Sequence, residues 1–144
     1  MRYEMIETTQ GSKRKLVPAI HNLIFVHSSQ NTITGLKMGK REFEPLRYIT
    51  KKIENGSHEI IHVPDRQMEN FIKVASTQDD SIFFLDPGDY INKIGKQVRI
   101  IAGPFKDVEG VVKRIKKNKS IVVQIEGVAA VAIAFVPANY LMLI

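Results

Sequence analysis

The chain of 144 residues contains no cysteine and no tryptophan. Without thiols, disulfides and thiolate metal sites are excluded, and the composition suits a reducing compartment. Long apolar runs are missing too. The longest, Val128 to Val136, covers nine residues, far short of the roughly twenty that a membrane helix needs. The opening stretch MRYEMIETTQGSKRK has no apolar centre of the kind a secretory signal carries, so a soluble, cytoplasmic protein that makes no membrane contact is expected. Recognisable catalytic patterns are also lacking. No Ser-His-Asp or Cys-His set has a fitting context, no glycine-rich loop leads from a strand into a helix, and His21, His27, His58 and His62 show no metal-ligand spacing. A binding protein is expected rather than an enzyme, with no metal and no cofactor.

Acidic residues are scarce in the last third of the chain. Residues 95–144 hold 8 basic and 3 acidic side chains, against 13 and 12 in residues 1–94, within a net charge of +6. The excess sits largely at Lys113, Arg114, Lys116, Lys117 and Lys119. Such a cluster points to a polyanion, DNA, nascent RNA or an acidic protein surface, although a solvated hairpin tip is its more common origin. Lys13, Arg14 and Lys15 form a second, smaller cluster.

Periodicity divides the chain. Residues 1–9 read as extended, with Tyr3, Met5 and Glu7 on one side, and the polar and basic run from Gln10 to Lys15 reads as a turn. Leu23-Ile24-Phe25-Val26 is a buried strand candidate, and His27 to Gly39 reads as loop, with room for a brief helical turn. Leu46–Ile49 and Ile60–Val63 read as strands joined in a hairpin through Glu54-Asn55-Gly56-Ser57. After Pro64 the period changes. Met68, Phe71, Ile72 and Ala75 recur at i, i+3, i+4 and i+7, which predicts an amphipathic helix over about 65–76, with Asp65 as N-cap and Gln67, Glu69, Asn70 and Lys73 facing water. A short strand, Ile82–Leu85, and a turn at 86–89 follow, with a domain boundary expected near residue 90.

From Gly95 to Gly127 the pattern is more specific. Val98 and Ile100 alternate with polar neighbours, Gly103-Pro104-Phe105 breaks the run, Val111-Val112 opens a second strand reaching Ile115, and Lys116-Lys117-Asn118-Lys119 forms the tip of a hairpin that returns through Ser120–Ile125. Gly110 stands where the backbone needs either a positive φ or a close neighbour.

The succession Val98-Arg99-Ile100, Gly103-Pro104-Phe105, Glu109-Gly110-Val111-Val112 and Ile115 resembles the KOW motif, found in SH3-like barrels of NusG-type transcription factors and of some ribosomal proteins. The first half, through KRKLVPAIHNLIFVH, PLRYI and VPDRQMENFIKV, resembles the UpxY branch of NusG-like proteins, specialised antiterminators of capsular polysaccharide operons. The resemblance implies two domains. Residues 1–90 would be an α+β, NGN-like domain, an antiparallel sheet with helices that lacks the family's opening strand and helix, and residues 91–144 a small all-β SH3-like barrel. It implies binding to RNA polymerase through Ile20, His21, Asn22 and Leu23, where the family has a Pro-Gly turn flanked by aromatics, and suppression of pausing or termination. Ile20 and Leu23 could equally fill the core. The alternative function is an RNA-binding, ribosome-associated KOW protein. A sheet without its opening strand is further expected to self-associate, by pairing or exchange next to Leu23–Val26.

Overall fold

The computed structural model describes residues 2–86 and 95–144. The boundary expected near residue 90 and the turn at 86–89 fall almost wholly outside those residues. The chain resolves into two compact units, Met1–Ile20 with Val63–Ile144, and His21–His62.

In the first unit, β1 (Arg2–Thr8) and β2 (Gly11–Val17) form an antiparallel hairpin in register from Arg2↔Val17 to Thr8↔Gly11. Lys13, Arg14 and Lys15 therefore lie within a strand and not in a turn. The reversal occurs earlier, at Thr9-Gln10, where Gly11 accepts a φ of 112° that a side chain would resist.

α2 (Asp65–Ala75) forms as its period predicts, but the buried face is rotated. Phe71 and Val74 are in the core, Ile72 is exposed, and Asn70, expected in water, is buried. The amides explain the rotation: Asn70 Oδ1 accepts from Glu109 N at 3.4 Å and Gln67 Oε1 from Glu126 N at 3.3 Å. The N-cap residue is Pro64, without a side-chain cap, and Asp65 is the first helical residue, where its charge still favours the helix's positive end.

β5 (Ile82–Phe84), β6 (Lys96–Ile100), β7 (Glu109–Ile115), β8 (Asn118–Ile125), β9 (Ala129–Ala134) and β10 (Leu141–Leu143) build one antiparallel sheet in the order β10-β6-β7-β8-β9-β5. The chain's last strand thus lies beside β6. Among the described residues the sheet is open, with β10 and β5 as its edges, so the expected closed barrel is not what forms. Leu85 N donates to Ala130 O at 3.1 Å and Ala134 N to Ser81 O at 2.8 Å, which fastens the segment around β5 to β9. β5 and α2, both assigned from sequence to the first domain, hence belong to the same unit as the motif. α2 packs against β8 and β9. Residues 120–123 and 129–134 are buried without interruption, which requires cover on both faces of these strands.

The second unit holds α1 (Gln30–Gly39), a 3₁₀ turn at Arg41–Phe43, and the hairpin of β3 (Thr50–Lys52) and β4 (His58–Ile60). α1 occupies the stretch expected to be loop. Its N-cap is Ser29, whose hydroxyl accepts from Thr32 N at 3.2 Å, so the polar run Ser28–Asn31 is a helix start. The hairpin closes through the expected residues, with Asn55 Oδ1 accepting from Ser57 N at 2.9 Å, but its strands sit closer to the turn than predicted. Leu23–Val26 is not a strand. Ile24 is 63% exposed and Val26 54%, and with no ladder there, self-association by pairing along that stretch loses its basis. The first-half strands make two separate two-stranded ladders, β1-β2 and β3-β4, in place of one sheet. Among the described residues no helix is long and apolar enough to cross a membrane.

Candidate functional site

The β6–β7 connection is wired by its own backbone. Lys106 N donates to Gly103 O at 3.2 Å, Val108 N to Phe105 O at 3.1 Å, Asp107 N to Ile100 O at 2.7 Å and Ile100 N to Val108 O at 2.9 Å. Phe105 and Val108 are buried beneath this loop. Pro104 lies between Phe105 and Gly103, whose φ is 83° and whose missing Cβ would stand 3.1 Å from the Tyr140 ring. Gly110 is a different case. Its φ is ordinary, and a Cβ there would meet Val122 O at 2.7 Å and Ile121 Cγ2 at 2.8 Å, so close approach of β8 is what requires glycine.

Glu109 ties α2 to this hairpin. Its Oε1 accepts from Arg99 Nε at 3.0 Å, Arg99 Nη2 at 2.7 Å and Arg66 Nη2 at 3.3 Å. The Arg99 bonds hold its carboxyl below the usual glutamate range, against a smaller opposing effect of burial. Arg66 also donates to Asp107 O at 3.0 Å, and Lys73 Nζ donates to Lys106 O.

The sequence-predicted cations separate. Ile115↔Asn118 is the last pair of the β7–β8 hairpin, and the turn residues Lys116 and Lys117 have φ of 46° and 71°, as a type I′ turn demands. Both project into solvent, and so do Arg114 and Lys119, which stand directly opposite one another. Lys113 does not join them. It faces Ser120 across the ladder and is buried with it, because alternation turns it to the other face of β7. Among the described residues, Arg114, Lys116, Lys117 and Lys119 have no acidic side chain in salt-bridge contact. On β2, Lys13 and Lys15 share a face with Glu4 and Ile6, while Arg14 lies opposite Met5 on the other.

Ile20, His21, Asn22 and Leu23 form a turn in which Asn22 has φ 58°. His21 and Asn22 are exposed, and Ile20 and Leu23 are half-buried, so neither aliphatic side chain is a core residue. The exposed apolar surface lies just beyond, at Ile24–Val26. Sequence reasoning also missed the basic end of α1. Lys37, Met38, Lys40, Arg41 and Glu44 surround an open hollow of about 460 Å³, and Lys40 Nζ stands 6.0 Å from the centre of the Phe43 ring. The i, i+3, i+4 spacing of the three cations was the available signal, hidden by the reading of this stretch as loop. Among the described residues no cluster of histidine and carboxylate side chains could hold a metal ion.

No curated protein and no solved structure matches the chain. Residues 94–125, which comprise β6, its connection, β7 and β8, match the KOW motif.

Proposed function

We propose that this protein is a NusG-like transcription factor, an NGN-like and KOW protein of the UpxY branch, which binds RNA polymerase and suppresses pausing or termination at capsular polysaccharide operons. The observation that carries the reading is the KOW motif at 94–125, set in a sheet whose last strand, β10, lies beside its first motif strand, β6. The exposed apolar run after Leu23, Ile24-Phe25-Val26, offers the apolar contact that such docking needs. The factor works in the cytoplasm by binding and not by catalysis. By preferring the elongating polymerase, with its clamp closed on DNA, it shifts the population away from the paused state by its difference in affinity.

The test is capture of core RNA polymerase by the immobilised chain and by Leu23→Asp and Ile24→Asp. A carboxylate buried in an apolar contact costs several kcal/mol, roughly 2–7, so both variants lose binding while their circular dichroism stays that of the wild type. Folded variants that capture polymerase as the wild type does would refute the docking site.

The four unpaired cations of the β7–β8 hairpin favour a second reading, an RNA-binding, ribosome-associated protein. Salt separates the two, since phosphate contacts release counterions and weaken steeply with ionic strength, whereas an apolar contact does not.

A further inference from the structure

β10 is one edge of the open sheet, and its ladder with β6 uses only alternate main-chain groups. Ile101 N donates to Tyr140 O at 2.8 Å and Ile144 N to Gln97 O at 3.2 Å. With Leu141↔Ile100 and Leu143↔Val98 in register, the antiparallel alternation turns the N–H and C=O of Leu143, and the C=O of Leu141, away from β6. The Leu141 N–H is engaged by Ala138 O. Among the described residues no strand lies beyond this edge. The run Leu-Met-Leu-Ile has no proline or charge of the kind that blunts exposed edges, and Leu143 is 66% and Ile144 51% exposed.

The register puts Leu141 and Leu143 on the same face as Lys96, Val98, Val112 and Lys119. These side chains line one open hollow of about 540 Å³. Its floor is aliphatic and its cations are Lys96 and Lys119, with Arg114 directly across from Lys119. None of the three is in salt-bridge contact among the described residues. Like charges directly opposed on a ladder repel, so an anion brought to this face gains attraction and relieves that repulsion.

We propose that the β10 edge and this hollow take an extended acidic peptide, added as a further strand. Its backbone bonds to Leu143 and to the Leu141 carbonyl, and its apolar side chains lie over Leu141 and Leu143. Its carboxylates turn to Lys96. β6 is one strand in from β10, so Lys96 stands about 10 Å from the added strand at the usual spacing, a gap that a lysine and a glutamate side chain span together. Charge selects this occupant over a second copy of the chain. Residues 95–144 hold 8 basic and 3 acidic side chains, and one of those acids, Glu109, is already engaged by two arginines. The lining selects it over single-stranded nucleic acid, because no aromatic ring on which a base could stack is among its described residues. Strand addition with alternating side-chain contacts is the recognition mode that such an edge supports. The site shares no residue with the polymerase-docking stretch and goes beyond that reading.

Fluorescence anisotropy with the full chain and a labelled nonapeptide Thr-Glu-Thr-Glu-Thr-Val-Thr-Val-Thr, whose glutamates and valines share one face of an extended strand, tests the proposal. Saturable binding is expected. Leu143→Pro removes the N–H that faces the peptide while sparing the bonds that Tyr140 and Ile144 make to the neighbouring strand, and it should weaken binding at least tenfold. Lys96→Glu, at an exposed position, should do the same. The nonapeptide N-methylated at its Glu and Val residues, whose amides face β10 in this register, and one with Lys in place of Glu, should not bind. Ile24→Asp should leave peptide binding unchanged whatever it does to polymerase capture. Absence of wild-type binding at millimolar peptide, unaltered binding by Lys96→Glu, or displacement of the peptide by equimolar oligouridylate would overturn the proposal.

Discussion

Gly110 offers a direct test of how the motif hairpin is packed. In Gly110→Ala the added methyl stands 2.7 Å from Val122 O and 2.8 Å from Ile121 Cγ2. Nonbonded heavy atoms rest at about 3.5–4.0 Å, so one of the two strands must retreat by most of an ångström. The isoleucine methyl can turn aside. The carbonyl cannot, because Val122 lies in register between Val111 of β7 and Ala132 of β9. Overpacking of this kind costs about 1–3 kcal/mol, and alanine regains about 0.5–1 kcal/mol of the backbone entropy that glycine loses in a strand. The expected net loss is about 1–2 kcal/mol, or roughly 3–7 °C in the thermal midpoint for a chain of this length. With no tryptophan to report, far-UV circular dichroism in urea is the assay. A second position separates contact from torsion: Gly127 has φ 74° and nothing within 4 Å of its missing Cβ. Asparagine tolerates that conformation, so Gly127→Asn should be nearly neutral, whereas Gly110→Asn should be worse than Gly110→Ala. A Gly110→Ala chain as stable as the wild type would refute the close-approach reading.

Two further outcomes follow from the same hairpin. The Ser120 hydroxyl is buried without a hydrogen-bond partner among the described residues, so Ser120→Ala, which removes the unsatisfied group, should stabilise by up to about 1 kcal/mol in urea titration. Lys116→Asn with Lys117→Gly supplies the residues that a type I′ turn favours and should stabilise by about 1 kcal/mol or more. If RNA binds at this tip, the same pair should flatten the salt dependence of its affinity by about 1.5 in log–log slope.

Local pattern carried much of this fold into the sequence. The 3.6-residue period of α2, the glycine at 110 and the reversal at Lys116-Lys117 were legible because each depends on near neighbours. The side chains that water was expected to claim were not. Asn70 is buried and Gln67 half-buried, each accepting from an amide, 39 and 59 residues away, a demand that period cannot express. Lys113 is buried by the parity of its strand, which charge counting ignores. β5 was recognised as a strand, but its partner β9 lies some fifty residues on, and this long-range pairing decides that the segment around it belongs with the motif. In the candidate site, the cations of the tip were legible from composition, whereas the end of α1 was not, because the Ser29 cap was read as loop.

Burial divides the two units as plainly as contact does. Each fully buried apolar side chain among the described residues belongs to the unit holding α2 and the six-stranded sheet, and none lies between 21 and 62. That second stretch instead exposes Ile24, Leu36, Met38, Leu46 and Ile49. Its structure rests on local hydrogen bonds such as the Ser29 cap, the Thr34–Tyr48 hydroxyl pair at 2.7 Å and the Asn55 turn. Bonds of that kind contribute about 0.5–1.5 kcal/mol each, too little to hold a surface rigid against solvent. Segments with few buried contacts open most readily, and patches of exposed aliphatic side chains mark contact surfaces. Under the polymerase reading, this stretch gains order when its aliphatic residues are covered by the partner, while the sheet stays folded on its own. On that reading alone the division of labour would follow from packing: the motif unit would supply a platform with a cationic hairpin, and residues 21–62 the adaptable apolar contact.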